Sequence, residues 1–309
     1  MEERERQHRP RRPVLAAAAV AALVGAASCG ASAPSGGAAG AAPARTPSPA
    51  ASTPAASAEE LPAPGRPVPE NAGRLAAELR KTTTALNAAI DRWDKKGKPP
   101  ADVELLALYQ QRVYRYAARH PEVADRAFAR LPAALAAQAK DNAKAIRDLL
   151  VLARPIKPSA VFKVQAPRPA AELLGYFKKA ERRFGVEWEV LAAVMLAETK
   201  FGRVKSPSHT GAQGPMQFMP GTWRAYGMGG DVHDPHDAVM AAANYLRASG
   251  APRNYRRALY AYNHSQAYVN AILLHARQIK RDPRNYYAYY NWQVFVLTTA
   301  GERRLTGPR

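Results

Sequence analysis

From residue 71 to residue 281, apolar side chains recur every three or four positions, and most runs end at Gly or Pro. That period belongs to the α-helix, so it commits this stretch to an all-α architecture. Leu75, Leu79, Leu86, Ile90 and Trp93 share one face of a first helix, with Asn71 placed to cap it and Gly97-Lys98-Pro99-Pro100 to end it. Asp102 is expected to cap a second helix carrying Val103, Leu106, Tyr109, Val113 and Tyr116, closed by His120-Pro121. A third runs from Glu122 to about Leu152, with a break at Pro132. Together they predict a small bundle over 71–155. The Pro-rich, basic stretch that follows reads as a linker, 156–169, wrapping onto the next domain.

Residues 170–282 form the second helical region. Leu173, Leu174 and Phe177 face inward from one helix, and Gly185-Val186 turns the chain. The next helix carries Trp188, Leu191, Ala192, Met195 and Leu196, and it ends on Glu198. A carboxyl set against apolar groups near a helix C-terminus keeps its proton for two reasons. Burial disfavours the anion, and the negative end of the helix dipole repels it. Such a group suits general-acid work near neutral pH. Gly211-Ala212-Gln213-Gly214 then marks a turn, followed by Pro215-Met216-Gln217-Phe218. Asp231, His233, Asp234, His236 and Asp237 suggest a metal site, but Asp234-Pro235 reads as a helix start with Asp237 in its first turn. No metal or other cofactor is expected. Later helices run from Arg256 to Tyr262 and from Ser265 to Arg281. The tail, 283–309, changes to period-two alternation at Trp292, Val294, Val296 and Thr298, which predicts a short strand and a hairpin with Gly301 in the turn.

The N-terminus is of a different kind. Met1 to Arg12 is positively charged, and Val14 to Ala27 is almost wholly apolar but too short to span a bilayer. Residues 1–28 read as an export signal. Cys29, the single cysteine of the chain, follows Ala26-Ala27-Ser28 and resembles the lipidation site of bacterial lipoproteins. Residues 29–70 are rich in Ala, Pro and Ser, and they read as a disordered tether from a membrane anchor. The expected location is therefore extracytoplasmic, either membrane-anchored or within the cell wall. A formal net charge of +20 favours anionic partners. No nucleic-acid motif accompanies it, and export argues against that partner.

Three ordered blocks carry a family resemblance: Glu198-Thr199, then Ser208 with Gly211 to Gln217, then Ala261-Tyr262-Asn263. Together they resemble the lytic transglycosylase domain and look closest to secreted actinobacterial members. The resemblance implies a lysozyme-like, α-rich catalytic fold, with peptidoglycan as the partner. It also implies cleavage of the β-1,4 bond between N-acetylmuramic acid and N-acetylglucosamine, without a cofactor and by a monomer. By position, Glu198 matches the acid and base, and Tyr262 a tyrosine that hydrogen-bonds it. Thr199, Ser208, Gln213, Met216, Gln217 and Asn263 match substrate-binding positions, Met216 as an apolar floor beneath a sugar. Thr199 replaces the family's usual Ser, and Pro215 its Leu. Tyr109, Tyr114 and Tyr116 are open to sugar stacking but fit packing better at helical spacing. Tyr286 to Trp292 could extend the sugar groove.

Glycoside hydrolysis usually takes two carboxylates. Glu187 and Glu189 lie more than two helical turns from Glu198. A lone acid implies that the substrate supplies the nucleophile and that the product is a 1,6-anhydro sugar. The alternatives are a muramidase of the same fold and a wall-binding protein without activity.

Overall fold

The computed structural model describes residues 60–309; the expected export signal, Cys29 and most of the expected tether lie outside them. Eleven helices and one hairpin are found among the described residues. The first four are α1 (Ala72–Arg92), α2 (Ala101–Arg119), α3 (Pro121–Phe128) and α4 (Ala133–Leu150). The next are α5 (Ala170–Phe184), α6 (Trp188–Thr199), α7 (Pro220–Tyr226) and α8 (Pro235–Ala248). Then come α9 (Tyr255–Tyr262), α10 (Gln266–Arg281) and α11 (Arg284–Tyr290), and finally β1 (Phe295–Thr298) and β2 (Gly301–Arg304). The fold class is all-α, as the periodicity requires. No described helix is long and apolar enough to cross a membrane.

Helix starts follow local chemistry. The Asn71 side chain accepts from the amides of Gly73 and Arg74, and Asp234 accepts from that of Asp237. Both satisfy donors that a helix N-terminus leaves open. Ser265 does the same for Tyr268, at the head of α10. Asp102 does not cap α2 as expected. That helix starts two residues earlier, behind Pro100, and Asp102 sits in its first turn facing Arg92 at 3.0 Å.

α6 is the centre of the molecule. Every residue from Val190 to Leu196 is buried, on all faces of the helix. A helix apolar all round belongs inside a protein, and α5, α8, α10 and α11 surround this one. α10 packs against α6 and α4, joining the early bundle to the later helices. One continuous core therefore runs from Leu75 to Trp292. The expected linker at 156–169 separates no two cores. It wraps as a strap: Ile156 bonds to Leu297 and Thr299 of the hairpin, and Gln165 to Arg203 beyond α6. Ile156, Ala160, Val204, Val294 and Val296 form a small second core beneath it.

Two further expectations change. The tether was expected to be disordered as far as residue 70, but residues 60–70 are laid along the bundle. Arg112 donates to the carbonyls of Pro64 (3.2 Å) and Arg66 (2.5 Å), Tyr109 donates to Pro67, and Arg66 pairs with Glu78. The tail tyrosines Tyr286, Tyr289 and Tyr290 do not extend a groove. They are fully buried, with hydroxyls bonded to Ala170 O, Asn142 Oδ1 and Arg168 O.

The hairpin is held in place by polar contacts too. β1 and β2 pair antiparallel, with Gly301 at φ 106° where the turn enters β2. Glu302 takes the guanidinium groups of Arg115 and Arg119. In the buried space beneath, the Gln111 amide exchanges two hydrogen bonds with the backbone of Gln293, at 2.9 and 2.7 Å.

Candidate active site

Glu198 stands in the last turn of α6 and is only 5% exposed. Oε1 accepts a 2.6 Å hydrogen bond from the hydroxyl of Tyr268, in the first turn of α10. Burial pushes the Glu198 carboxyl up to about 8; the Tyr268 hydrogen bond and the Lys200 charge oppose the rise without cancelling it. At neutral pH the group is mostly protonated, the state a general acid requires.

The chain past Glu198 turns sharply. Lys200 (φ 52°), Phe201 (φ 59°) and Gly202 (φ 81°) are all left-handed. This region is costly for a bulky residue such as Phe201. Burial of its ring among Phe177, Tyr286 and Tyr290 holds it there. The turn carries the Lys200 ammonium back onto Leu196 O at 2.8 Å. Lys200 is partly exposed as a residue. Even so, burial of its ammonium, with the charges of Arg115 and Arg203 after it, pushes it down to about 7.

The turn from Gly211 to Phe218 packs against the end of α6. Gln213 and Phe218 exchange two backbone hydrogen bonds across it. Gly214 is required twice over: its φ is +73°, and a Cβ there would lie 1.8 Å from Val232 O. The Thr199 hydroxyl donates to Pro215 O at 2.7 Å and accepts from Gly202 N. The Ser208 hydroxyl accepts from Ala212 N, and Gln217 Nε2 donates to Gly214 O. Met216 is completely buried. Four of the six expected substrate-binding side chains therefore hold the turn together or pack beneath it. Gln213 keeps a half-exposed side chain beside the turn.

Tyr262 takes a different place from the one the resemblance implies. Its hydroxyl donates to Met216 O at 2.7 Å, whereas the hydroxyl on Glu198 comes from Tyr268. The two rings lie parallel, 4° apart in tilt and 6.5 Å between centroids. Tyr262 braces the turn, and Tyr268 holds the acid. Burial raises both phenols well above their ordinary range, so neither ionises near neutrality.

A cavity of about 130 Å³ opens against Glu198. Among its lining residues Glu198 is the single carboxylate. Thr199, Lys200, Asn263, Tyr268, His275 and Trp292 line it with the acid, and Gln111 and Arg115 reach it from α2. α2 and α4 thus contribute residues that sequence reasoning left without chemistry, whereas Trp292 belongs to the stretch expected to extend the groove. Tyr268 of α10 was missed too, and the Ser265 cap that starts the helix is the local feature that places it in the first turn.

Asp234, His236 and Asp237 bring potential metal-ligand atoms within 4.8 Å of one another. Those atoms have structural partners: Asp237 N on Asp234, Asp231 N and the His236 ring on Asp237, and Lys179 on His236. They fix the start of α8.

The fold and site together define a lysozyme-like, α-rich protein with one buried acid in a cleft. Residues 175–283, from α5 to just past α10, match the family model for the Transglycosylase SLT domain, a peptidoglycan-cleaving family. No solved structure matches the chain. The matched segment is about a third of the sequence and contains Glu198, Lys200, Asn263, Tyr268 and His275.

Proposed function

We propose that the protein is a lytic transglycosylase. It cleaves the β-1,4 bond between N-acetylmuramic acid and N-acetylglucosamine and leaves 1,6-anhydromuramic ends. One observation carries this reading: Glu198 is buried, protonated near neutrality and the lone carboxylate lining its cavity. A hydrolase of the usual kind needs a second carboxylate to activate water or attack the sugar.

In this mechanism Glu198 gives its proton to the leaving oxygen. The N-acetyl group of the muramic residue stabilises the cation formed at C1. Glu198, now a carboxylate in an apolar setting, takes the proton of the C6 hydroxyl as that oxygen attacks C1. One C–O bond breaks and one forms, and the acid returns to its starting state. Tyr268 keeps the carboxyl aimed and stabilises it while it is charged. Asn263, which lines the cavity with the acid, orients the substrate.

The protein works outside the cytoplasm as a monomer, tethered to the membrane through acylated Cys29. The short apolar segment and single cysteine of the N-terminus support this. Mass spectrometry of fragments released from purified peptidoglycan tests the reaction. Anhydro ends, one water lighter than reducing ends, are expected; fragments with reducing muramic ends alone would identify a muramidase.

A further inference from the structure

The strap after α4 has two unlike faces. Inward, Ile156, Ala160 and Phe162 pack on the small second core. Outward, Val161 is 79% exposed, and Val151, where α4 runs into the strap, is 75% exposed. Single exposed apolar residues are common on protein surfaces, but these stand in an unusual charge setting. From residue 149 to residue 171 the chain has no Asp or Glu, and neither has 199–230, part of which pairs with the strap. Arg154, Lys157, Lys163 and Lys205 are exposed there, and none forms an ion pair with a carboxylate among the described residues.

The fold sets two of these cations side by side. Lys205 N donates to Lys163 O at 2.8 Å and Gln165 N to Arg203 O at 2.9 Å, around the antiparallel bridge between Val164 and Val204. This pairing puts Lys163 directly opposite Lys205, so their side chains share a face. Val161 shares it too, because Phe162 between Val161 and Lys163 turns inward. Like charges directly opposite each other destabilise a strand pair. The arrangement is nevertheless held firmly. Lys163 N donates to Ser206 Oγ at 2.9 Å, and Arg303 donates to the carbonyls of Pro158 and Ala160. An anionic surface laid on this face relieves the repulsion. Cations alone suit any polyanion, but a protruding valine beside them favours lipid, whose headgroups meet the lysines while the methyl groups enter the acyl boundary.

We propose that the outer face of the strap docks on an anionic lipid bilayer, with Lys157, Lys163 and Lys205 at the headgroups and Val161 inserted beside them. The proposal goes beyond the cleavage reaction and does not depend on it. A single lipid chain holds a protein on a membrane only marginally, and a basic patch is one form of second signal. The strap adds an orientation that a tether lacks. Leu152, Ala153 and Val204 of the same segments line the cavity of Glu198, so a docked strap sets the cleft beside the bilayer, where it meets glycan close to the membrane.

Co-sedimentation with vesicles tests this on the chain from residue 29 onward with Cys29→Ser, which lacks the apolar segment and the acylation site but keeps every described residue. The vesicles are phosphatidylcholine alone, or equal parts phosphatidylcholine and phosphatidylglycerol. Binding to the mixed vesicles is expected to be at least about tenfold stronger than to the neutral ones. Lys163→Gln with Lys205→Gln should lower it by about tenfold or more, at about fivefold per cation. Val161→Ser should lower it by about three- to tenfold. Arg74→Gln with Arg80→Gln, which removes the same charge from the exposed face of α1, should change it by no more than about twofold in physiological salt. The melting temperature of Lys163→Gln should be unchanged or higher, because a like-charge contact is relieved. No preference for the anionic vesicles, a preference that the double lysine variant keeps, or an equal loss in the α1 variant would overturn the proposal. Loss on removing the lysines with full binding in Val161→Ser would replace the lipid surface with a soluble polyanion. None of these results bears on the cleavage reaction, which the released fragments test separately.

Discussion

The two walls beside Glu198 treat their polar groups in opposite ways. On the Gly211–Phe218 side, the hydroxyls of Thr199, Ser208 and Tyr262 and the Gln217 amide all find partners within the protein. On the side of α10 and the tail, Asn263, His275 and Trp292 each bury a polar atom with none. The first is a finished structural unit packed against the end of α6, and the second leaves three buried polar atoms unmatched. Motif position assigns Thr199, Ser208, Gln217 and Asn263 alike to substrate binding; hydrogen bonding within the protein separates the first three from Asn263.

The largest expected effect is at the acid between the walls. Glu198→Gln should lower turnover by about 10²–10⁴-fold, the scale of general acid–base catalysis. It should also change stability with a definite sign. The native carboxyl holds its proton up to about 8, while the unfolded one releases it near 4.5. The native state therefore binds more protons across that window, and stability falls as pH rises through it. Glutamine removes this penalty, so the variant should gain on the order of 2–4 kcal/mol over wild type at pH 8 and almost nothing at pH 4. Denaturant unfolding at the two pH values measures the difference.

The structural wall is tested next. Gly214→Ala forces a left-handed φ and a clash with Val232 O. A loss of about 3–4 kcal/mol in unfolding free energy is expected, with activity failing only as the fold does. The two tyrosines then sharpen the contrast. Tyr268→Phe removes an oriented hydrogen bond to the carboxyl, worth about 1.5–3 kcal/mol. Turnover should drop roughly ten- to hundredfold if the bond matters chiefly in the transition state. Tyr262→Phe should show its effect mainly in melting temperature, at a cost of about 1–3 kcal/mol for leaving Met216 O unpaired. A larger catalytic loss in Tyr262→Phe than in Tyr268→Phe would reverse the assignment. The smallest effect is expected from Thr199→Ser, which keeps the hydroxyl on Pro215 O and should change stability by no more than about 1 kcal/mol.

Local features were readable from the sequence. Periodicity located the helices, Asn71 and Asp234 marked their starts, and Glu198 stood out as an acid at the end of an apolar helix. Long-range pairing was not readable. Nothing near Gln111 announces that its amide will mimic a strand partner for Gln293, 182 residues away. The left-handed run at Lys200 and Phe201 contains no glycine until Gly202, so local propensity gave no warning of the turn that brings the ammonium to the cavity. The choice between Tyr262 and Tyr268 depends on the angle between α9 and α10, and the sequence shows only that both are tyrosines. Residues 60–70 looked like tether by composition, but Arg112 gives their carbonyls a partner.

The pH dependence of kcat/KM on purified glycan strands tests the central claim most directly, because it reports which form of Glu198 does the chemistry. The account predicts activity that persists at pH 5 and falls as pH rises through about 8, where the acid loses its proton. In Tyr268→Phe that falling limb should move to higher pH, since the lost hydrogen bond favoured the carboxylate. Activity that instead disappears as pH falls from 6 to 4 would mean the ionised carboxylate is the working form, and would contradict the account.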